Sequence, residues 1–73
     1  MRMNIHEYRV LHGLSRKNFG QIVGVSEEFI RLVENGARKL SPERAIGVEE
    51  ITGGEVGRSD LRPDIWPPAE AAA

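Results

Sequence analysis

Glu27, Glu28 and Arg31 are the side chains best placed for chemistry in this 73-residue sequence. Spaced three and four residues apart, they share one face of any helix that contains them. The arginine fork matches O6 and N7 of guanine, and a glutamate can accept from the amine of cytosine. Arg16 and Lys17 precede this group, and Asn35, Arg38 and Lys39 follow it. Together with the Ser26 hydroxyl they are candidates to hold phosphate oxygens, contacts that fix register without reading sequence. The competing reading for the two acids is electrostatic: carboxylates in a first helical turn meet the positive end of the macrodipole. Two adjacent carboxylates also raise the cost of approaching phosphate, so the same surface suits a protein partner as an alternative.

Other chemistries find little support. His6 and His12 are six residues apart and do not form an i, i+4 ligand pair. Thr52-Gly53-Gly54-Glu55-Val56-Gly57 lacks the lysine and spacing of a phosphate loop and reads as a helix stop. No nucleophile–base pair is evident. The expectation is a non-enzyme without metal or cofactor. With no cysteine there is no disulfide and no thiolate metal site, which fits a reducing cytoplasm. Residues 1–7 contain no apolar run, so no signal peptide is expected, and no stretch is long enough to cross a membrane.

The elements that must position these residues are marked by caps. Asn4 opens a helix over Ile5–His12, stopped by Gly13. Ser15 opens one over Arg16–Val23, with Phe19, Ile22 and Val23 as its apolar stripe and Gly24 as its stop. Ser26 caps Glu27–Glu34, with Ile30 and Val33 facing inward and Asn35-Gly36 ending it. Ser41-Pro42-Glu43 is a cap, an N1 proline and an N2 acid. The helix it opens carries Ala45, Val48 and Thr52 on one face and ends at Gly53-Gly54. Glu55-Val56 is compatible with extended chain, and Ser59-Asp60-Leu61 with one helical turn. Pro63, Pro67 and Pro68 exclude a long regular element there. No run alternates as a strand would. The fold class is therefore all-α, with four to five short helices and an extended C-terminal segment. One domain over 1–66 and a disordered tail over 67–73 are expected.

Arg16–Val33 meets the demands of a helix-turn-helix, two steeply crossed helices joined by a tight turn. Gly20 supplies the small residue where they touch, and Gly24 the residue that accepts a left-handed turn. Val25, Ile30 and Val33 anchor the second helix, and Phe19 and Val23 fill the space beneath. Glycine inside a helix costs about 1 kcal/mol relative to alanine, so Gly20 calls for a reason, and close helix approach is one.

Leu14-Ser15, Phe19-Gly20, Val23-Gly24-Val25-Ser26, Ile30 and Glu34-Asn35-Gly36 together resemble the Cro/repressor helix-turn-helix family. Ser41-Pro42-Glu43-Arg44-Ala45, Thr52-Gly53-Gly54-Glu55-Val56 and Asp60-Leu61-Arg62-Pro63-Asp64-Ile65-Trp66-Pro67 resemble the prophage Cro-like proteins, also called YdaS-like antitoxins. The resemblance reaches Pro67. It implies a lambda-repressor-like domain, phage- or prophage-encoded, that regulates transcription as a repressor on a double-stranded DNA operator. The family often has alanine at the position of Gly20, so alanine is expected to be accepted there. In such domains the second helix reads base edges in the major groove, which assigns Glu27, Glu28 and Arg31 to bases. It assigns Arg16, Lys17, Ser26, Asn35, Arg38 and Lys39 to the backbone. A homodimer on a near-palindromic site is expected, and a toxin or host protein is the alternative partner.

Charge is unevenly spread. Residues 1–39 carry seven basic and four acidic side chains, a net +3, whereas residues 40–73 carry three and seven, a net −4. A basic front can face phosphate while an acidic rear faces water or a partner. Trp66 is the only tryptophan. It is expected to fold back and tie down the C-terminus, the alternative being a dimer contact.

Overall fold

Side-chain caps open four helices in the computed structural model, which describes residues 3–67. The helices are α1 (Ile5–His12), α2 (Arg16–Val23), α3 (Glu27–Glu34), α4 (Pro42–Ile51) and α5 (Arg58–Leu61), with no strand among the described residues. Asn4 and Glu7 form a reciprocal capping box: each side chain accepts from the other residue's backbone N–H. Ser15, Ser26 and Ser41 each accept from the backbone N–H three residues on. α5 has no side-chain cap at Gly57; its first turn is held by the Asp60 carboxylate, which accepts from Gly57 N–H. The sequence-derived limits of the first three helices coincide with the observed ones. The disordered tail expected over 67–73 lies, beyond Pro67, outside the described residues.

One core gathers all five helices and the loops between them. Ile5, Phe19, Ile30, Leu40, Val48 and Val56 form its buried centre, with Tyr8, Val23, Val25, Phe29, Val33 and Leu61 packed around it. Tyr8 meets Phe19 edge-on, ring centroids 6.0 Å apart, and so joins α1 to α2. Ala45, Val48 and Thr52 are buried on one face of α4, as their spacing predicts. Thr52 Oγ1 donates to Val48 O and accepts from Val56 N–H, so the end of α4 fixes the chain that follows. Glu55 and Val56 do not form a strand, although Glu55 O accepts from Met3 N–H.

The C-terminal segment is held by arginines. Arg62 donates to Leu40 O at 2.8 Å and makes two bonds to Asp64. Arg58 pairs with Glu49 and lies over Trp66, 5.4 Å from the ring centroid. Trp66 is half-buried and packs within the chain, against a cation rather than in the apolar centre.

Candidate nucleic-acid interface

The α2–α3 turn is set by two glycines. Gly24 has φ +90°, the left-handed region that favours glycine, and its N–H returns to Gly20 O at 2.7 Å. Val25 N–H bonds the same carbonyl at 2.9 Å. Gly20 is buried directly beneath the turn. A Cβ at Gly20 would stand 2.6 Å from Val25 O, a backbone atom that cannot swing aside. Alanine at position 20 is therefore not accepted without shifting the turn, contrary to the expectation drawn from the family resemblance. The reason is the approach distance: this chain brings the turn backbone at Val25 and Ser26 closer to α2 than a Cβ allows.

α3 is held by its inner face. Ile30 is fully buried, Phe29 and Val33 pack against the core, and Leu32 is half-buried. Glu27, Glu28 and Asn35 are exposed, and Arg31 lies between, its side chain 43% exposed. These four residues form the outward face. Ser26, at its N-terminal end, accepts Phe29 N–H, which leaves its hydroxyl proton free to donate outward. Asn35 is exposed at the C-terminal end of the helix.

The cations around this face differ in their commitments. Lys17 and Arg38 are exposed and make no ion pair among the described residues. Lys39 is exposed, its Nζ 3.9 Å from Asp64. Arg62 and, more weakly, Lys39 lower the Asp64 carboxyl to about 2. Arg31 is held by Glu28, which accepts from Nε at 2.9 Å and also from Nη2. Arg31 thereby keeps the Glu28 carboxyl below its ordinary range. Two residues assigned separately to bases are thus one bidentate pair. Glu27 makes no ion pair among the described residues.

Arg16 is the least free of the expected phosphate contacts. Its Nε donates to Glu34 at 3.2 Å, and its side chain is 38% exposed. Glu34 is the hub of a three-helix cluster that the residue pattern did not disclose. Its side chain is 5% exposed and takes two bonds from Arg9, at 2.6 and 3.0 Å. Arg9 also donates to Leu14 O, the residue joining α1 to α2. Burial pushes the Glu34 carboxyl up, but the bonds and charges of Arg9 and Arg16 prevail and hold it below its ordinary value. The cluster fixes the C-terminal end of α3 to α1 and to the start of α2.

Arg44 escaped the sequence reading as well. From α4 its Nη1 donates to Val23 O at 2.8 Å, closing the C-terminal end of α2. It lines a groove with Ser26, Phe29, Lys39 and Ser41, beside the N-terminal end of α3. Its only sequence signal was its position after the Ser41-Pro42-Glu43 helix start. His6 and His12 are both exposed, and His12 lies 3.2 Å from Glu55. No cluster of three metal-ligating side chains occurs among the described residues. No helix among them is long and apolar enough to cross a membrane.

Two crossed helices on a glycine turn, the second presenting a polar outer face, define a small all-α helix-turn-helix domain. The chain belongs to the family described as "Bacterial toxin YdaS", whose profile matches residues 14–70. The chain is 40% identical over 57 residues to a prophage transcriptional regulatory protein of Escherichia coli (strain K12). That match covers 74% of this chain and 86% of the relative. No solved structure matches. The family description names a toxin, where the residue resemblance had implied antitoxins.

Proposed function

We propose that this chain is a sequence-specific DNA-binding transcriptional regulator that reads the major groove with α3. The observation that carries this reading is the outward face of α3, where Arg31 stands between Glu28 and Asn35, with Lys17 and Arg38, which make no ion pair among the described residues, to either side in sequence. An exposed guanidinium on a rigidly docked helix can address a guanine, while flanking cations neutralise phosphate. The relative's description as a prophage transcriptional regulator supports the same reading. Ser26 and Asn35 supply neutral donors at the two ends of α3, and Lys39 and Arg44 add positive charge beside its N-terminal end. The role requires no catalytic step. It places the protein with the phage-type repressors of the cytoplasm, acting as a homodimer on a near-palindromic operator.

The test is selection of bound fragments from random duplex DNA, followed by titration at two salt concentrations. A single enriched motif is expected, with affinity falling steeply as salt rises. Lys17→Ala or Arg38→Ala should weaken selected and random duplexes alike. Each should flatten the logarithmic salt slope by roughly one unit per lost phosphate contact. Failure to enrich any motif, with no duplex bound above background, would sink the reading.

A second reading has one specific observation in its favour. Two carboxylates stand at the start of α3, and one of them neutralises Arg31. That surface also suits a basic protein partner, as an antitoxin or a phage adaptor would present. Under this reading Glu27→Gln with Glu28→Gln weakens capture of the partner and leaves DNA affinity negligible.

A further inference from the structure

We propose that Glu28 is a positioning residue: it grips one edge of the Arg31 guanidinium and thereby presents the adjoining two-donor edge to a guanine. This role rests on the groove-reading function above and assigns Glu28 no base of its own. Both Glu28 oxygens are engaged, one by Nε and the other by Nη2 of Arg31. A guanidinium carries five N–H groups in a plane, directed along three edges. Glu28 occupies the edge shared by Nε and Nη2. The edge shared by Nη1 and Nη2 remains, and its two parallel N–H groups have the spacing that O6 and N7 of guanine accept.

The three-residue spacing on α3 sets the arrangement. A partner one turn back towards the N-terminus draws the arginine along the helix surface towards that end. The N-terminal part of a recognition helix is the part that reaches base edges. The gripped guanidinium is thereby held at the reading end. An exposed ion pair of this kind contributes little to folding, so its value lies elsewhere. Arginine has many rotamers, and restricting them beforehand lowers the entropy lost on docking. The Glu28 charge has an opposite effect on phosphate. It repels every duplex equally and so weakens non-specific binding. That uniform repulsion cancels in the ratio of two affinities, so the carboxylate sharpens discrimination by orienting the reader alone.

The experiment uses the full chain and the duplex enriched by selection, with each base pair varied in turn. Arg31→Ala identifies the base pair that Arg31 reads, by abolishing discrimination there. Glu28→Gln and Glu28→Ala are both exposed changes, and unchanged melting temperatures will confirm that they fold. Each should lower discrimination at that same base pair about tenfold, while affinity for random duplex rises. Glu28→Ala should have no further effect on discrimination once Arg31→Ala is present. Loss of discrimination at a different base pair would mean that Glu28 reads a base itself, and would overturn the proposal. Unchanged discrimination in both Glu28 variants would overturn it as well. Absence of any selective binding by the unaltered chain would remove the groove-reading function and this role together. Selective binding with an indifferent Glu28 removes only the role.

Discussion

Gly20 carries the sharpest consequence at the scale of single residues. Its position beneath the turn brings backbone to within 2.6 Å of where a Cβ would stand. Alanine would gain about 1 kcal/mol of helix propensity but must push the Val25 carbonyl outward. Overpacking of this kind costs roughly 1–3 kcal/mol, so Gly20→Ala should lower the melting temperature and Gly20→Leu should lower it further. Thermal unfolding followed by circular dichroism will decide this, and an alanine variant that melts higher would refute the close approach. Gly24 differs in kind. There the left-handed backbone penalises any side chain, and Arg44 Nη1 lies 2.8 Å from where a Cβ would stand. Both glycines were visible in the sequence as a pair four apart. The distance that excludes even a methyl group at one of them was not.

At the scale of elements, the Arg9–Glu34–Arg16 cluster does what short helices cannot do for themselves. Eight-residue helices are marginal in isolation and depend on tertiary contacts. Glu34, its own side chain 5% exposed, joins three of them through charge-assisted bonds. Glu34→Ala strands Arg9 with a buried charge and should cost roughly 3–5 kcal/mol. That is comparable to what a core of this size supplies, so the variant should be largely unfolded at room temperature. Arg16→Ala leaves the Arg9–Glu34 pair intact and should be mild by comparison. The same cluster predicts acid sensitivity. The folded Glu34 carboxyl sits below its ordinary 4.5, so its contribution is complete above that pH. It is lost as pH falls from about 4.5 through the folded value. The lowered Asp64 carboxyl, at about 2, acts in the same direction and extends the loss to lower pH. Denaturant midpoints measured between pH 7 and 3 should be flat at first and then decline. A midpoint that rises below pH 4.5 would contradict the sign.

At the scale of the whole molecule, the proposed function together with the small size of the chain calls for two copies on DNA. An eight-residue recognition helix is about 12 Å long and spans only a few base pairs. On the proposed function, one copy would therefore read too little to single out a site. Two copies on a near-palindrome would place their recognition helices about 34 Å apart, or a multiple of that. Titration of a selected duplex, followed by sedimentation, should give two chains per duplex. One chain per duplex at saturation would exclude the dimeric arrangement. The charge asymmetry bears on the same geometry. On the proposed function, a front half at +3 and a rear half at −4 would orient each copy with its acidic part away from phosphate.

The sequence by itself determined the local structure, because caps, stops and apolar spacing act within a few residues. Asn4, Ser15, Ser26 and Ser41 marked helix starts, Gly13 and Gly24 marked stops, and the spacing of Ala45, Val48 and Thr52 marked a buried face. The outward residues of α3 were legible for the same reason, since period and amphipathicity are properties of one segment. What each of those residues touches was decided only in three dimensions. Arg9 and Glu34 stand 25 positions apart, and Arg44 and Val23 stand 21 apart, separations across which no spacing rule operates. Arg16 looked like a free cation because its carboxylate partner lies 18 positions on, at the far end of the next helix. Arg31 and Glu28 are neighbours on one helix, so their pairing could have been proposed from spacing. That they pair, and leave one edge of the guanidinium free, depends on rotamers selected by the folded surface. Leu40 and Val56 belong to no helix, and their burial follows from how the elements close around them. Local periodicity names a face; only the packed structure decides which charges on it are already spent.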